Sequence, residues 1–196
     1  MPRQIYLDSY NDAGVIVAMA LANEVHTRDD SAFAQLRQIL TFDAPSLGLL
    51  RKSHLNGFFE LSARLRAICE KLTRKDIDSA AASLNELLAA HPATPYLAKE
   101  DGVWRLHHHA SAARLVPMYT SICAEALARA VGEGNAARFG RCEAVTCRRV
   151  FFDSSKNGTK RFCSTRCQSR TKVARFRNRD DARLLTPARA VRPSRR

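Results

Sequence analysis

The sequence predicts a mainly α protein with small β-hairpins: a helical N-terminal domain followed by a small C-terminal module organised around cysteines. Three observations carry that expectation. Apolar residues recur at helical spacing through the first ~140 residues. Four of the six cysteines fall between positions 142 and 167. The excess positive charge lies entirely beside them: residues 1–140 hold 15 Lys/Arg and 15 Asp/Glu, whereas residues 141–196 hold 17 Lys/Arg against 4 Asp/Glu, the whole of the net +13.

The helical expectation runs in order along the chain. A helix over about 12–26 has Asn11 or Asp12 as its N-cap. Ser31 is expected to cap a short helix with Phe33, Leu36, Ile39 and Leu40 on one face. Pro45 marks a break before a long helix over about 47–72, carrying Leu55, Phe58, Phe59, Leu61, Leu65 and Ile68. The next, over 76–90, presents Ile77, Leu84, Leu87 and Leu88, and His91-Pro92 ends it. The period then changes to that of a β-hairpin near 94–109, turned on Asp101-Gly102. Helix returns over about 112–131, with Pro117 near its start or kinking it, and Gly132, Gly134 and Asn135 close it.

Hydrophobic residues at 45% and charged residues at 26% are a globular composition. No run approaches the ~18 apolar residues of a membrane span. The early apolar run from Val15 to Ala22 follows Asp8 and Asp12 rather than a basic segment, so it reads as a core helix and the protein as cytoplasmic. In a reducing compartment, cysteines serve as metal ligands or buried thiols rather than disulfides.

Cys142 and Cys147 form C-x4-C; after fifteen intervening residues Cys163 and Cys167 form C-x3-C. Two thiolate pairs around a short insert can supply the four soft donors of a tetrahedral zinc site. Arg149-Val-Phe-Phe-Asp153, the Asn157-Gly158 turn and Thr159-Lys-Arg-Phe162 read as strand, turn, strand. Ser164 is a good N-cap for a following helix, which places Cys163 and Cys167 on one side of its first turn. Knuckle, hairpin and helix-borne ligands make a treble-clef-like zinc finger, in which one structural Zn2+ has no open position for catalysis.

After the last ligand come Arg166, Arg170, Lys172, Arg175, Arg177 and Arg179 on a helix-compatible stretch. Val173 and Phe176, three apart, are expected to pack inward while the basic groups face out. Such a surface favours a polyanion over a membrane, because it lacks the bulky apolar stripe of an interfacial helix. The expected partner is nucleic acid, DNA ahead of RNA, since single-stranded RNA recognition leans on exposed aromatics and Phe176 stands alone. The alternatives are an RNA-binding protein using the same face, or an adaptor gripping an acidic protein.

No G-x-S-x-G, H-E-x-x-H, Walker A or G-x-G-x-x-G pattern occurs, so a non-enzymatic role is expected. His107, His108 and His109 alternate faces if they lie on a strand, which suits a hairpin end or pocket lining better than a second metal site. Cys69 and Cys123 lie on apolar helix patterns and read as core residues.

The C-terminal segment resembles the CGNR zinc-finger proteins of bacteria. The matching residues are Arg138-Phe-Gly-Arg-Cys142, Cys147-Arg-Arg-Val-Phe-Phe-Asp153, Ser155-Lys-Asn-Gly158 and Arg161-Phe-Cys163-Ser164, continuing through Cys167, Arg170, Lys172 and Arg175-Phe-Arg177. A looser N-terminal likeness rests on Leu7-Asp8-Ser9-Tyr10-Asn11, the helix order and the Trp104 hairpin. The resemblance implies a two-part stress-induced transcription regulator. Residues 1–137 would be a helix-rich ABATE-type domain that senses a small-molecule effector or forms a homo-oligomer. Residues 138–180 would be the DNA-binding finger, and 181–196 a basic flexible tail. One departure stands out: the Cys-Gly-Asn-Arg signature reads Cys167-Gln168-Ser169-Arg170 here.

Overall fold

The computed structural model describes the backbone of residues 11–92, 95–100, 102–107 and 114–184, and their side chains except at 11–12, 100, 105, 107 and 177–184. Helix α1 (Asn11–Glu24) carries apolar residues on nearly every side, and Val15, Val17, Ala18, Leu21 and Ala22 are all buried. A helix apolar all round belongs inside a fold. Accordingly α1 is the central element, packed by α2 (Asp30–Ile39), α4 (Leu55–Thr73) and α6 (Leu115–Gly132). Helix α5 (Ile77–Ala90) packs on α4 and α6. Close approach of α1 and α6 depends on Gly14, where an added Cβ would lie 2.6 Å from the Ala126 Cβ.

The few polar groups in this core are satisfied, as burial requires. Ser62 Oγ donates to the Leu21 carbonyl. The Tyr119 hydroxyl donates to Asp43 Oδ2 at 2.9 Å while its ring meets Phe58 edge-on, with centroids 5.6 Å apart.

Several boundaries differ from the sequence expectation for identifiable reasons. Asp29, not Ser31, caps α2: one carboxylate oxygen accepts from the Ser31 and Ala32 N–H groups, and from the Ser31 and Thr27 hydroxyls. The expected helix over 47–72 is two helices. Pro45 occupies the first turn of α3 (Ala44–Leu49), where a missing N–H has no consequence. Leu50 is extended, a 3-10 turn spans Lys52–His54, and His54 Nδ1 accepts from the Arg51 N–H before α4 begins. Helix α6 starts at Leu115, so Pro117 falls in its first turn.

Strands β1 (Tyr96–Glu100) and β2 (Val103–His107) form the expected antiparallel hairpin, with Gly102 at φ +80° in its turn. His107 ends β2, while His108 and His109 lie outside the described residues, as do Leu7 to Tyr10.

A second antiparallel hairpin pairs β3 (Phe139–Arg141) with β4 (Val150–Phe152). Phe139 and Val150 are buried in the same core as the helices. The outer edge of β4 is bound by one side chain of α1: Asn23 Nδ2 donates to the Val150 carbonyl and Asn23 Oδ1 accepts its N–H, both at 2.9 Å. Arg66 of α4 donates to Asn23 Oδ1 at 3.2 Å and to the Arg148 carbonyl, and Arg149 pairs with Glu24 at 2.6 Å. Replacing Asn23 by alanine leaves both Val150 backbone groups without that partner. It should cost about 2–3 kcal/mol, read as a melting temperature lower by about 5–10 °C.

Candidate metal centre

The knuckle that holds Cys142 and Cys147 is the loop between β3 and β4. The Cys142 N–H donates to the Arg149 carbonyl and the Cys147 N–H to the Ala144 carbonyl, folding the loop back on itself. Gly140 is required beneath it, because the Phe151 ring covers that position and an added Cβ would lie 2.6 Å from Phe151 Cζ. Lys160 lies over the same ring, its Nζ 5.3 Å from the Phe151 centroid.

The expected pairing of 149–153 with 159–162 does not form. The partner of β4 lies upstream, before the first cysteine, and residues 159–162 are not strand. A carboxylate does the work of the missing ladder. Asp153, 2% exposed, accepts from the Ser155 N–H at 2.9 Å and from the Lys160 N–H at 2.7 Å. Burial alone would raise its pKa, but the Ser155 and Lys160 hydrogen bonds outweigh it and hold the carboxyl below its ordinary value. The loop between is closed by Gly158 at φ +62°, whose N–H donates to the Ser155 carbonyl. Arg138 braces it, donating to Asn135 Oδ1 and to the Asp153 and Ser155 carbonyls.

Helix α7 (Thr165–Leu184) carries Cys167 in its first turn, and Cys163 lies in the segment just before it. Ser164 is its N-cap as expected, with Oγ accepting from the Cys167 N–H at 3.3 Å. Among the described residues, Cys142, Cys147, Cys163 and Cys167 form the potential metal cluster, their four sulfurs lying within 4.8 Å of one another. The Cys147–Cys163 and Cys163–Cys167 Sγ separations are both 3.7 Å. Four sulfurs at the usual zinc–thiolate bond length span tetrahedron edges of about 3.8 Å, whereas a disulfide needs about 2.05 Å. The donor set and its spacing fit one zinc ion held by four thiolates, a closed and therefore structural site.

The environment favours thiolate at one end of this cluster. The Ser164 hydroxyl, with help from the other thiols, draws Cys167 down to about 7. Burial first, then the neighbouring thiols, push Cys163 up to about 12. Four adjacent thiolates need a cation between them to coexist, which is what a divalent metal supplies. Arg170 Nη2 lies 3.8 Å from Cys167 Sγ, offsetting the formal charge of a tetrathiolate centre.

Cys69 and Cys123 are fully buried in the helical core, and burial pushes both thiols up, Cys69 to about 12. A maleimide reagent should therefore modify four thiols per chain after chelation, and six only after denaturation.

The basic helix departs from expectation in one respect. Val173 and Phe176 do not pack inward: they are 51% and 66% exposed. Among the described residues, helix α7 makes no substantial contact with another helix or strand that would cover them. Its backbone runs to Leu184, beyond the expected end near residue 180; residues 185–196 of the expected tail lie outside the described residues. Arg166, Lys172 and Arg175 are exposed, and Arg170 is exposed while turned toward Cys167. The side chains of Arg177 and Arg179 lie outside the described ones.

Lys172 and Arg175 form one wall of a groove of about 540 Å³. Lys160, Arg161 and Ser164 line the facing side, and Gln168 and Thr171 line the groove from α7. Arg161 forms a bidentate ion pair with Glu143, whose carboxyl is held below its ordinary value chiefly by that bond. Sequence reasoning missed Lys160 and Arg161 because they precede the helix and the loop folds them back beside it. Gln168, half of the departure from Gly-Asn, faces this groove.

The C-terminal unit thus has the class features of a four-cysteine zinc finger. Residues 138–180 match the family model of the CGNR zinc finger. Comparison with curated proteins gives no match. No helix of the described residues is long and apolar enough to cross a membrane.

Proposed function

We propose that the protein is a cytoplasmic, non-enzymatic transcription regulator that binds DNA through the zinc finger and its basic helix. The groove between residues 159–164 and α7 carries this reading. It gathers four cations, of which one is neutralised by Glu143, beside hydroxyl and amide donors. Hydroxyls, amides and cations are the groups that contact a phosphodiester backbone. The exposure of Val173 and Phe176 adds a second support. A polar helix with apolar side chains left exposed among the described residues is suited to lie against a partner surface. Duplex DNA offers both phosphates and, through thymine methyls in the major groove, apolar contact.

The two-part layout implied by the resemblance completes the proposal: an ABATE-type helical domain that senses an effector or assembles a homo-oligomer, coupled to the finger. The test is competition at matched ionic strength among duplex DNA, single-stranded RNA and poly-glutamate for the zinc-loaded full chain. DNA should win. Tighter binding of RNA would move the protein to the RNA-binding class, and displacement by poly-glutamate at equal charge would make it an adaptor for acidic proteins.

A further inference from the structure

A second cleft, of about 270 Å³, opens where α6 meets the finger, and it shares no lining residue with the basic groove. Its apolar lining comes from Val15, Ala126 and Phe152, and its charged lining from Arg129, Arg138, Lys156 and Glu133. Arg129 is paired with Glu125 at 2.6 Å. Arg138 is different: its side-chain partners are an amide oxygen and two carbonyls, so it is held in place with no carboxylate partner among the described residues. Lys156 has no ion pair among the described residues. Among the described residues the cleft is lined by three cations and one carboxylate, with Glu125 paired to Arg129 and the buried Asp153 carboxylate turned onto the Ser155 N–H.

We propose that this cleft binds a small organic anion, a phosphate or carboxylate on a short apolar body. A fixed guanidinium supplies recognition with little ordering cost, and the apolar lining favours an organic anion over a bare inorganic one. The volume lies just below the roughly 300–1,000 Å³ usual for ligand pockets, which restricts the site to a small ligand. The position gives the ligand a route to the finger. It would bridge α6 to the 154–156 loop, and the Asp153 carboxylate beside that loop holds both the Ser155 and Lys160 N–H groups. Lys160 is a wall of the basic groove. Effector binding is thereby coupled to the groove through one carboxylate; the coupling, but not the binding, rests on the nucleic-acid reading.

The experiment is an NMR titration of the 15N-labelled, zinc-loaded full chain with phenyl phosphate and benzoate, alongside inorganic phosphate, phenol and a sodium chloride control. Saturable shifts at Ser154, Ser155, Lys156 and the α6 amides around Arg129 are expected with phenyl phosphate or benzoate. Affinity should fall at least fivefold in Lys156→Gln and in Arg129→Gln. Which aromatic anion binds more tightly assigns the head group. Saturation by neither, an equal response to phenol or sodium chloride, or shifts confined to residues 159–175 overturns the site. Saturating probe should also change duplex-DNA affinity; an unchanged affinity with the cleft filled overturns the coupling and leaves the binding standing. Failure of the chain to bind DNA at all bears on the functional reading alone.

Discussion

Cys163→Ser should reduce the zinc content from about one ion per chain to nearly none and unfold the finger while the helical body persists. The finger's own core shows why. Its buried cluster is Cys142, Ala144 and Cys167, with Cys147, Phe162 and Cys163 packed on it, so four of its six members are the ligands themselves. A segment with so little apolar burial depends on its metal, and structural zinc contributes on the order of 10 kcal/mol or more. The helical body has a separate source of stability in Phe58, Leu65, Leu84 and Tyr119. Most of the far-ultraviolet helical signal should therefore survive, while amide resonances of residues 142–170 collapse. Acid should mimic the substitution. Cys163 without metal is protonated far above neutrality, so metal binding displaces protons and zinc affinity rises with pH. Lowering the pH reverses this and releases the ion. Retention of a full equivalent of zinc by Cys163→Ser, with a folded finger, would remove this cysteine from the site.

Neutralising the groove should have the second largest effect. The combined variant Lys160→Gln, Lys172→Gln and Arg175→Gln should bind duplex DNA roughly 100-fold more weakly at physiological salt, if each side chain neutralises one phosphate. Zinc content should be unchanged, since none of the three contacts a ligand sulfur. Arg170 is left intact for the opposite reason: its guanidinium lies against Cys167 Sγ, so its replacement would mix loss of phosphate contact with disturbance of the metal site. Neutralising Arg161 would be less informative, because Glu143 already offsets it. An affinity within twofold of the original would place the interface elsewhere.

What the sequence revealed follows from the range over which each determinant acts. The four ligands were legible because cysteine spacing is local and chemically restrictive, and Ser164 was legible as a cap because capping spans three residues. The strand partner of β4 was not. Residues 149–153 and 159–162 alternate around an Asn-Gly turn, yet the buried Asp153 takes the N–H groups of both arms and β4 pairs upstream instead. Asn23 could not be read as the clamp on Val150 because the two are 127 residues apart. The break between α3 and α4 was hidden by its chemistry. His54 fills a capping role normally given to glutamate or glutamine, and residues 50–54 contain neither proline nor glycine. Val173 and Phe176 were misplaced for a related reason: helical spacing shows that two residues share a face, not that anything covers it.

The salt dependence of duplex-DNA binding by the zinc-loaded chain tests the central claim most directly. With Lys160, Lys172 and Arg175 each on a phosphate, the logarithm of the association constant should fall against the logarithm of salt concentration with a slope of about −2.7 or steeper. A slope near zero, at measurable affinity, would contradict a groove built to hold the phosphate backbone.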